Sequence, residues 1–500
     1  MASREEWCAD KITKLLNEEL RITTLNEIKD HFTSVPQDEA ARTANILQLP
    51  LVFDCLNNSN TEQVDLACEV LSLCMNNLNL GESTSKYGVS LERALTHPYA
   101  SVKLMSLTEI ERSLTAEQVI NELCHRKTLV INIVRCLEGD DLAVVKKSST
   151  ILTKIATTEM GINLLVSSDI LVVIYEVMTA SEVIRLRVYE LVVSISKESE
   201  ENFIILQSTG LVNQILEELD NNDILLKMNI LELLTQLGTS RHGYTYLESN
   251  GILNKMFLLF DENQDPVAVQ LCEPGVLKFF GHIAHWRPIE VLSKYPKFFD
   301  RLFSNLETGN LTIVSVSLDT LGHIAELNEG KIALDSTGNK MKYAVKVIIK
   351  LLPSLPNDVR ITALNCLEKL VKIGEYRNEI SSISRKWYNL FGDIPMDLIV
   401  KYSKNPFPET RVAGLSILRA VCGHYWGHED IRNTPGLIEF LLDRLVESVK
   451  ECKEVKFEII KILSTSEVFD QSIRTRLQTY VKEGPFYVYT VTEVAVEGND

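Results

Sequence analysis

The sequence repeats itself about every 41 residues, and this period constrains the fold more than any other feature. Leu129, Ile170, Leu211 and Ile252 each open a similar apolar segment, and their positions are evenly spaced by that period. Val89 and Leu51 continue the series backwards at 40 and 38. Phe298, Met341, Ile394 and Leu437 continue it forwards with looser spacing. A second marker moves in phase: Gly281-His-Ile-Ala284 returns one period later as Gly322-His-Ile-Ala325. Within one unit, Leu211–Leu219 reads as a short apolar helix and Asp220-Asn-Asn-Asp223 as a polar turn. Ile224–Leu237 then reads as a longer helix, with Leu226, Ile230, Leu233, Leu234 and Leu237 at helical spacing. Gly238-Thr-Ser stops it, and a turn leads to the next anchor. One such unit cannot bury its own apolar stripe, whereas stacked neighbours bury it on both sides. The expected fold is therefore all-α: one α-solenoid of about ten HEAT/armadillo-like repeats.

Composition agrees. The chain holds 22 Gly and 14 Pro in 500 residues, below the usual ~7% and ~5%, so turn formers and helix breakers are scarce. With 51 basic against 68 acidic residues the net charge is −17. That excludes bulk electrostatic binding to nucleic acid and to anionic membranes, both of which need clustered Lys and Arg. The longest stretch free of charged residues, Asn202–Leu216, has fifteen residues, short of the ~20 of a membrane-spanning helix. Glu5 and Glu6 stand where a secretion signal would be basic and then apolar. The ten cysteines form no Cys-x-x-Cys and are expected to be buried, reduced thiols. A cytoplasmic location follows, with the nucleus as a second compartment.

The longer helices share a polar turn followed by an aliphatic–basic pair: Asp141 before Val145-Lys146, Glu182 before Leu186-Arg187, Asp223 before Leu226-Lys227, then Asp358-Val359-Arg360 and Glu454-Val455-Lys456, with Thr410-Arg411 as a variant. In this they resemble the second helix of the HEAT repeat. Pro274-Gly275 falls inside one expected second helix and predicts a break or bend there. Ser315 and Ser317 replace the basic residue in the next unit. Polar Asp261–Pro274 and proline-bearing Gly374–Pro408 read as insertions. The expected organisation is an N-terminal helical cap over 1–45, the repeat solenoid over 46–480, and an extended tail over 481–500, where Gly484–Val496 is aromatic and β-branched without helical period.

Phosphate-loop, dinucleotide-loop, zinc-protease and nucleophile-elbow motifs are all missing. No enzyme activity, cofactor or metal is expected. The best ligand cluster is Cys422, His424 and His428, with the two histidines four apart. A helix terminus lined by structural histidines explains the same pattern. His282 and His285 form a weaker pair, and the recurrence of His282 at His323 assigns that position to the repeat. The cations Lys146, Arg187, Lys227, Arg360, Arg411 and Lys456 form a series with two readings. One is an internal ladder, each cation bonding a turn carboxylate of its own or a neighbouring unit; the other is a row facing an acidic partner. The second helices line the concave side of a two-helix solenoid, so Lys146, Arg187, Lys227, Asp319 and His323 form the expected partner-binding set. Trp7, Trp286, Trp387 and Trp426 ignore the period, which argues against a nuclear-import groove.

Particular words go beyond period and composition: Leu95-Thr-His-Pro98 with Ser101-Val-Lys103, Arg187-Val-Tyr-Glu-Leu191, Lys278-Phe-Phe-Gly281, Pro406-Phe-Pro-Glu409, Glu483-Gly-Pro-Phe-Tyr-Val488 and Ala495-Val-Glu-Gly498. Together they resemble the 26S proteasome non-ATPase regulatory subunit 5 family. The resemblance implies an assembly chaperone of the base of the proteasome regulatory particle, without catalytic residues. It implies transient binding to the C-terminal domain of one base ATPase, in a module with a second ATPase and a large non-ATPase scaffold subunit, and release before the particle is complete. The other reading is a generic cytosolic α-solenoid scaffold or trafficking adaptor.

Overall fold

A computed structural model describes residues 4–258 and 266–487. The expected tail falls mostly at 488–500, outside the described residues, as does 261–265 of the expected insertion. The described residues are helical throughout, apart from turns and short 3-10 segments. The chain divides into two compact units, Met1–Tyr246 and Leu247–Asp500. In the first, the long helices Thr61–Asn76, Ala100–Ser113, Leu142–Ile155, Glu182–Glu198 and Ile224–Gly238 pack side by side in chain order. In the second, Pro266–Trp286, Leu311–Ala325, Asn357–Val371, Pro408–Cys422 and Lys450–Leu463 do the same. Their inward stripes are fully buried, for example Ile151, Leu152 and Ile155 on one helix and Leu364, Leu367 and Leu370 on another. All ten cysteines are buried thiols outside any disulfide, as their scatter predicted.

Each repeat contains a third helix that the hydrophobic period does not reveal. Glu159–Leu165, Glu200–Ser208 and Arg241–Ser249 follow the long helices of the first unit; Pro288–Lys294, Asn328–Ser336, Asn378–Tyr388 and Tyr425–Asn433 follow those of the second. The repeat is thus a three-helix unit of armadillo type, where the sequence predicted two helices and a turn. These helices have only seven to eleven residues, about two to three turns, so a periodic pattern hardly develops. A recurrent glycine does mark them. Gly161, Gly243, Gly330 and Gly427 each occupy the third position of such a helix. A Cβ there would lie 1.7–2.1 Å from the carbonyl oxygen of Ile155, Leu237, Ile324 or Val421 at the end of the long helix. Only glycine lets the chain turn so tightly at that point.

The same logic explains the Gly-His-Ile-Ala marker. A Cβ on Gly281 would come within 2.5 Å of Thr320 on the next long helix, and one on Gly322 within 3.3 Å of the Cys366 Cα on the helix after that. The glycines sit where successive long helices pass close to one another.

Two expected irregularities prove helical, and the break expected at Pro274 is absent. Pro266–Trp286 continues through Pro274 as one 21-residue helix. The proline has no N–H to offer the Gln270 carbonyl, and Gln270 is exposed, so solvent has access to this residue. Gly374–Pro408 lengthens its unit as expected but is helical: it holds the third helix Asn378–Tyr388 and the next first helix Pro395–Ser403, with long connections around them. A kink not expected from sequence lies at Tyr87, whose φ of −116° and ψ of 17° interrupt the helix Glu82–Ala94.

Candidate binding face

The turn before each long helix carries the residues singled out from sequence. In two of these turns the acidic residue caps the helix: Asp141 accepts from the N–H groups of Ala143 and Val144, and Asp223 from those of Leu225 and Leu226, whereas Glu182, Asp358 and Glu454 stand inside their helices. A carboxylate at the cap satisfies otherwise orphaned donors and complements the helix dipole. Among the described residues no cation of the series bonds the acidic residue of its own turn. Three of them bond carbonyls at the end of a short first helix, that of the preceding repeat for Arg187 and that of their own repeat for Arg360 and Lys456. Arg187 donates to Leu137 O at 2.8 Å and Gly139 O at 2.9 Å. Arg360 donates to Leu352 O and Leu355 O. Lys456 donates to Phe440 O at 3.0 Å and Asp443 O at 2.9 Å. Burial pulls the Lys456 pKa down to about 8, against the opposing pull of the Glu447 and Asp443 carboxylates. Arg411 bonds the Asn405 carbonyl and also a carboxylate, that of Glu447, through its Nε at 2.7 Å and its second terminal nitrogen at 3.1 Å. Burial works against the Glu447 charge, yet the Val449 N–H and Arg411 outweigh it and hold the pKa below the ordinary value.

Lys146 and Lys227 differ. Lys146 is exposed and Lys227 half-buried, and neither has an ion pair or side-chain hydrogen bond among the described residues. Close to each lies an exposed aliphatic side chain at the tip of the helix: Leu142, 72% exposed, and Leu225, 69% exposed; Val183, 60% exposed, holds the corresponding place on the helix between them. Three successive packed helices of the first unit thus expose an apolar residue at equivalent positions.

Asp319 and His323 belong to the second unit, on Leu311–Ala325. Asp319 touches solvent, but the protein packed around it raises its pKa by desolvation, opposed by Lys369 and Lys278. His323 is half-buried and stacks flat on His285, with centroids 4.0 Å apart and planes 2° apart. The His282 ring meets it edge-on at 4.8 Å. Desolvation first, then the neighbouring His285 and His282, lower the His323 pKa to about 4, so it is neutral near pH 7.

The Cys422–His424–His428 cluster is structural. His424 is fully buried, with Nδ1 at 2.9 Å from Ser381 Oγ and Nε2 donating to Val371 O at 2.7 Å. His428 bonds Ser466 Oγ and Cys422 O through its two nitrogens. Burial pushes the Cys422 thiol far up from its ordinary value, which keeps it protonated. No ring nitrogen is left to ligate an ion.

These bonds belong to a system that sequence reading missed. The last carbonyls of several long helices accept from a polar side chain of a neighbouring repeat. Arg112 donates to Met75 O at 2.7 Å, Asn202 to Ala156 O at 2.9 Å, His242 to Ser196 O at 2.7 Å and His285 to His323 O at 2.6 Å. Asn202, His242 and His424 sit at or near the start of a third helix, a position that becomes meaningful once that helix is known.

Among the described residues no single helix is long and apolar enough to cross a membrane. Residues 4–500 match the family model described as proteasome non-ATPase 26S subunit. The chain is similar to 26S proteasome non-ATPase regulatory subunit 5 of Bos taurus, 31% identical over 487 residues that cover 96% of this chain and 97% of that protein. It is 30% identical to the Homo sapiens protein of the same name over 488 residues, with the same coverage. The Drosophila melanogaster protein is 27% identical over 513 residues and 99% of both chains.

Proposed function

The chain belongs to the 26S proteasome non-ATPase regulatory subunit 5 family, the assembly chaperones of the proteasome base, and from that premise we propose that it holds the C-terminal domain of one base ATPase transiently and leaves before the regulatory particle is complete. The family match along nearly the whole chain carries this reading and displaces the generic adaptor. The family is non-catalytic, and the chain is not an enzyme. It works in the cytoplasm and the nucleus. Its partners are base ATPases and a large non-ATPase scaffold subunit.

The unpaired cations Lys146 and Lys227, with the exposed tips Leu142, Val183 and Leu225, support a contact surface on the long helices of the first unit. Exposed apolar residues ringed by charge are a usual composition for a protein interface. Asp319 and His323 are proposed as contacts on the second unit. Arg187 contributes by fixing the turn that leads to Leu142, because its guanidinium donates to the Leu137 and Gly139 carbonyls. A stable interface needs about 1,200–2,000 Å², which several repeats supply together.

The test is capture of base ATPase C-terminal domains by the full chain. Lys146→Glu with Lys227→Glu is expected to weaken capture about tenfold or more and to flatten its salt dependence, with the thermal midpoint unchanged. Equal capture by this double variant, with capture lost on deleting 488–500, would place the contact on the tail and refute the helix-face reading. Enrichment of other cytosolic proteins without base ATPases would refute the chaperone assignment itself.

A further inference from the structure

We propose that His285, His323 and Glu326 form a zinc-class divalent metal site that ties together two neighbouring long helices. Each offers one ligand-capable atom, and these atoms lie within 4.8 Å of one another. His285 lies near the C-terminal end of Pro266–Trp286. His323 and Glu326 stand three apart at the C-terminal end of Leu311–Ala325, a spacing that puts both on one helix face. The repeat itself assembles the set: Gly281-His-Ile-Ala-His285 and Gly322-His-Ile-Ala-Glu326 are the same five positions one period apart. The close approach of Gly281 to Thr320 brings the two copies into contact.

Three observations point to a cation. First, His285 is buried and its Nδ1–H donates to the His323 carbonyl at 2.6 Å. That bond fixes the tautomer and leaves the Nε2 lone pair as an acceptor, the arrangement by which a backbone carbonyl orients a metal-ligating imidazole. Second, His323 Nδ1 faces the Glu326 carboxylate at 3.5 Å, and its Nε2 is buried without a hydrogen-bond partner among the described residues, a state that native structures rarely leave uncompensated. Third, both helices end at the site, so the negative ends of two helix dipoles face it. Two imidazoles and a carboxylate suit zinc, with a fourth position left for water, and Glu326, with 43% of its side chain exposed, leaves the site open to solvent.

The geometry also says what binding must change. A metal lies in the plane of each imidazole that binds it, so two rings stacked face to face cannot share an ion. His323, half-exposed, must turn out of the stack while the carbonyl bond holds His285 in place. Zinc bonds of about 2.0–2.1 Å set tetrahedral ligand atoms about 3.3 Å apart, so the group must also contract. Lys369 Nζ, 4.0 Å from the Glu326 carboxylate, competes with the ion.

The experiment is titration of the reduced full chain with Zn²⁺ by calorimetry, and with Co²⁺ by visible absorption. One equivalent is expected, weakened at least tenfold by His323→Gln and by Glu326→Gln, and tightened severalfold by Lys369→Met. Glu326 is exposed, so its variant folds whatever happens to the histidine variants. The His285 and His323 ring resonances should lose their mutual stacking shifts on binding. Absence of stoichiometric binding overturns the proposal. So does binding untouched by Glu326→Gln, or a cobalt spectrum with a thiolate charge-transfer band, which would mark a cysteine site.

Discussion

Replacing Lys331 by Met should remove a pH dependence of stability that a single buried amine imposes. Lys331, on the third helix Asn328–Ser336, is fully buried, and its Nζ donates to Lys369 O and, at 2.9 Å, to Leu370 O near the end of Asn357–Val371. Burial lowers its pKa from 10.5 to about 7, despite the favourable field of Glu368. A neutral amine has two N–H donors and can keep both bonds. The folded pKa lies below the unfolded one. Between pH 7 and 10.5 the unfolded chain therefore binds the extra proton, and stability rises with pH across that window. Below pH 7 both states are charged, and the contribution becomes flat. At 1.36 kcal/mol per unit the whole window is worth about 5 kcal/mol. Between pH 6 and 9 the change is about 3 kcal/mol. The assay is urea unfolding of wild type and Lys331→Met at pH 6, 7, 8 and 9, followed by tryptophan fluorescence. Trp286, Trp387 and Trp426, three of the four tryptophans, lie in the same unit as Lys331. The variant leaves two carbonyls unsatisfied at every pH, a constant cost of about 1–3 kcal/mol each. The informative quantity is the wild-type-minus-variant difference, which should grow by about 3 kcal/mol from pH 6 to pH 9. A difference that stays level would show that Lys331 keeps its proton in the folded chain, and the burial argument would fail.

Gly330→Ala should cost about 3 kcal/mol, because its Cβ would meet the Ile324 carbonyl oxygen at 1.7 Å; Gly374→Ala, with open space around it, is the control, and equal thermal midpoints for the two would contradict the tight-turn account. Arg411→Ala should cost about 3–5 kcal/mol by leaving buried Glu447 unpaired. Glu447 titrates below its ordinary value, so its contribution is present above pH 4.5 and is lost as pH falls through the folded pKa; acid unfolding of the variant should show less of that loss, and an unchanged acid limb would count against the pair.

The fold class was legible because a regular period of apolar helical stripes has few other ways to be buried, and the same words carried the family. The long helices and the reduced cysteines were readable for that reason. The ladder was half-legible: the sequence located Arg187, Arg360, Arg411 and Lys456, but which oxygen each one meets depends on where the first helix ends in space. That Asp141 and Asp223 serve the helix N-termini is a matter of backbone geometry, and the cations that follow them, Lys146 and Lys227, bond neither. The third helices stayed hidden because two to three turns carry too little periodicity, although Gly161, Gly243, Gly330 and Gly427 record their tight entry. Pro274 misled, because a proline reports the bond it removes and not whether water reaches the orphaned carbonyl. The two histidine sets diverged for a tertiary reason alone. His424 and His428 are four apart and found partners for all four nitrogens, whereas His285 and His323 are 38 apart in sequence and stack only because Gly281 lets their helices touch.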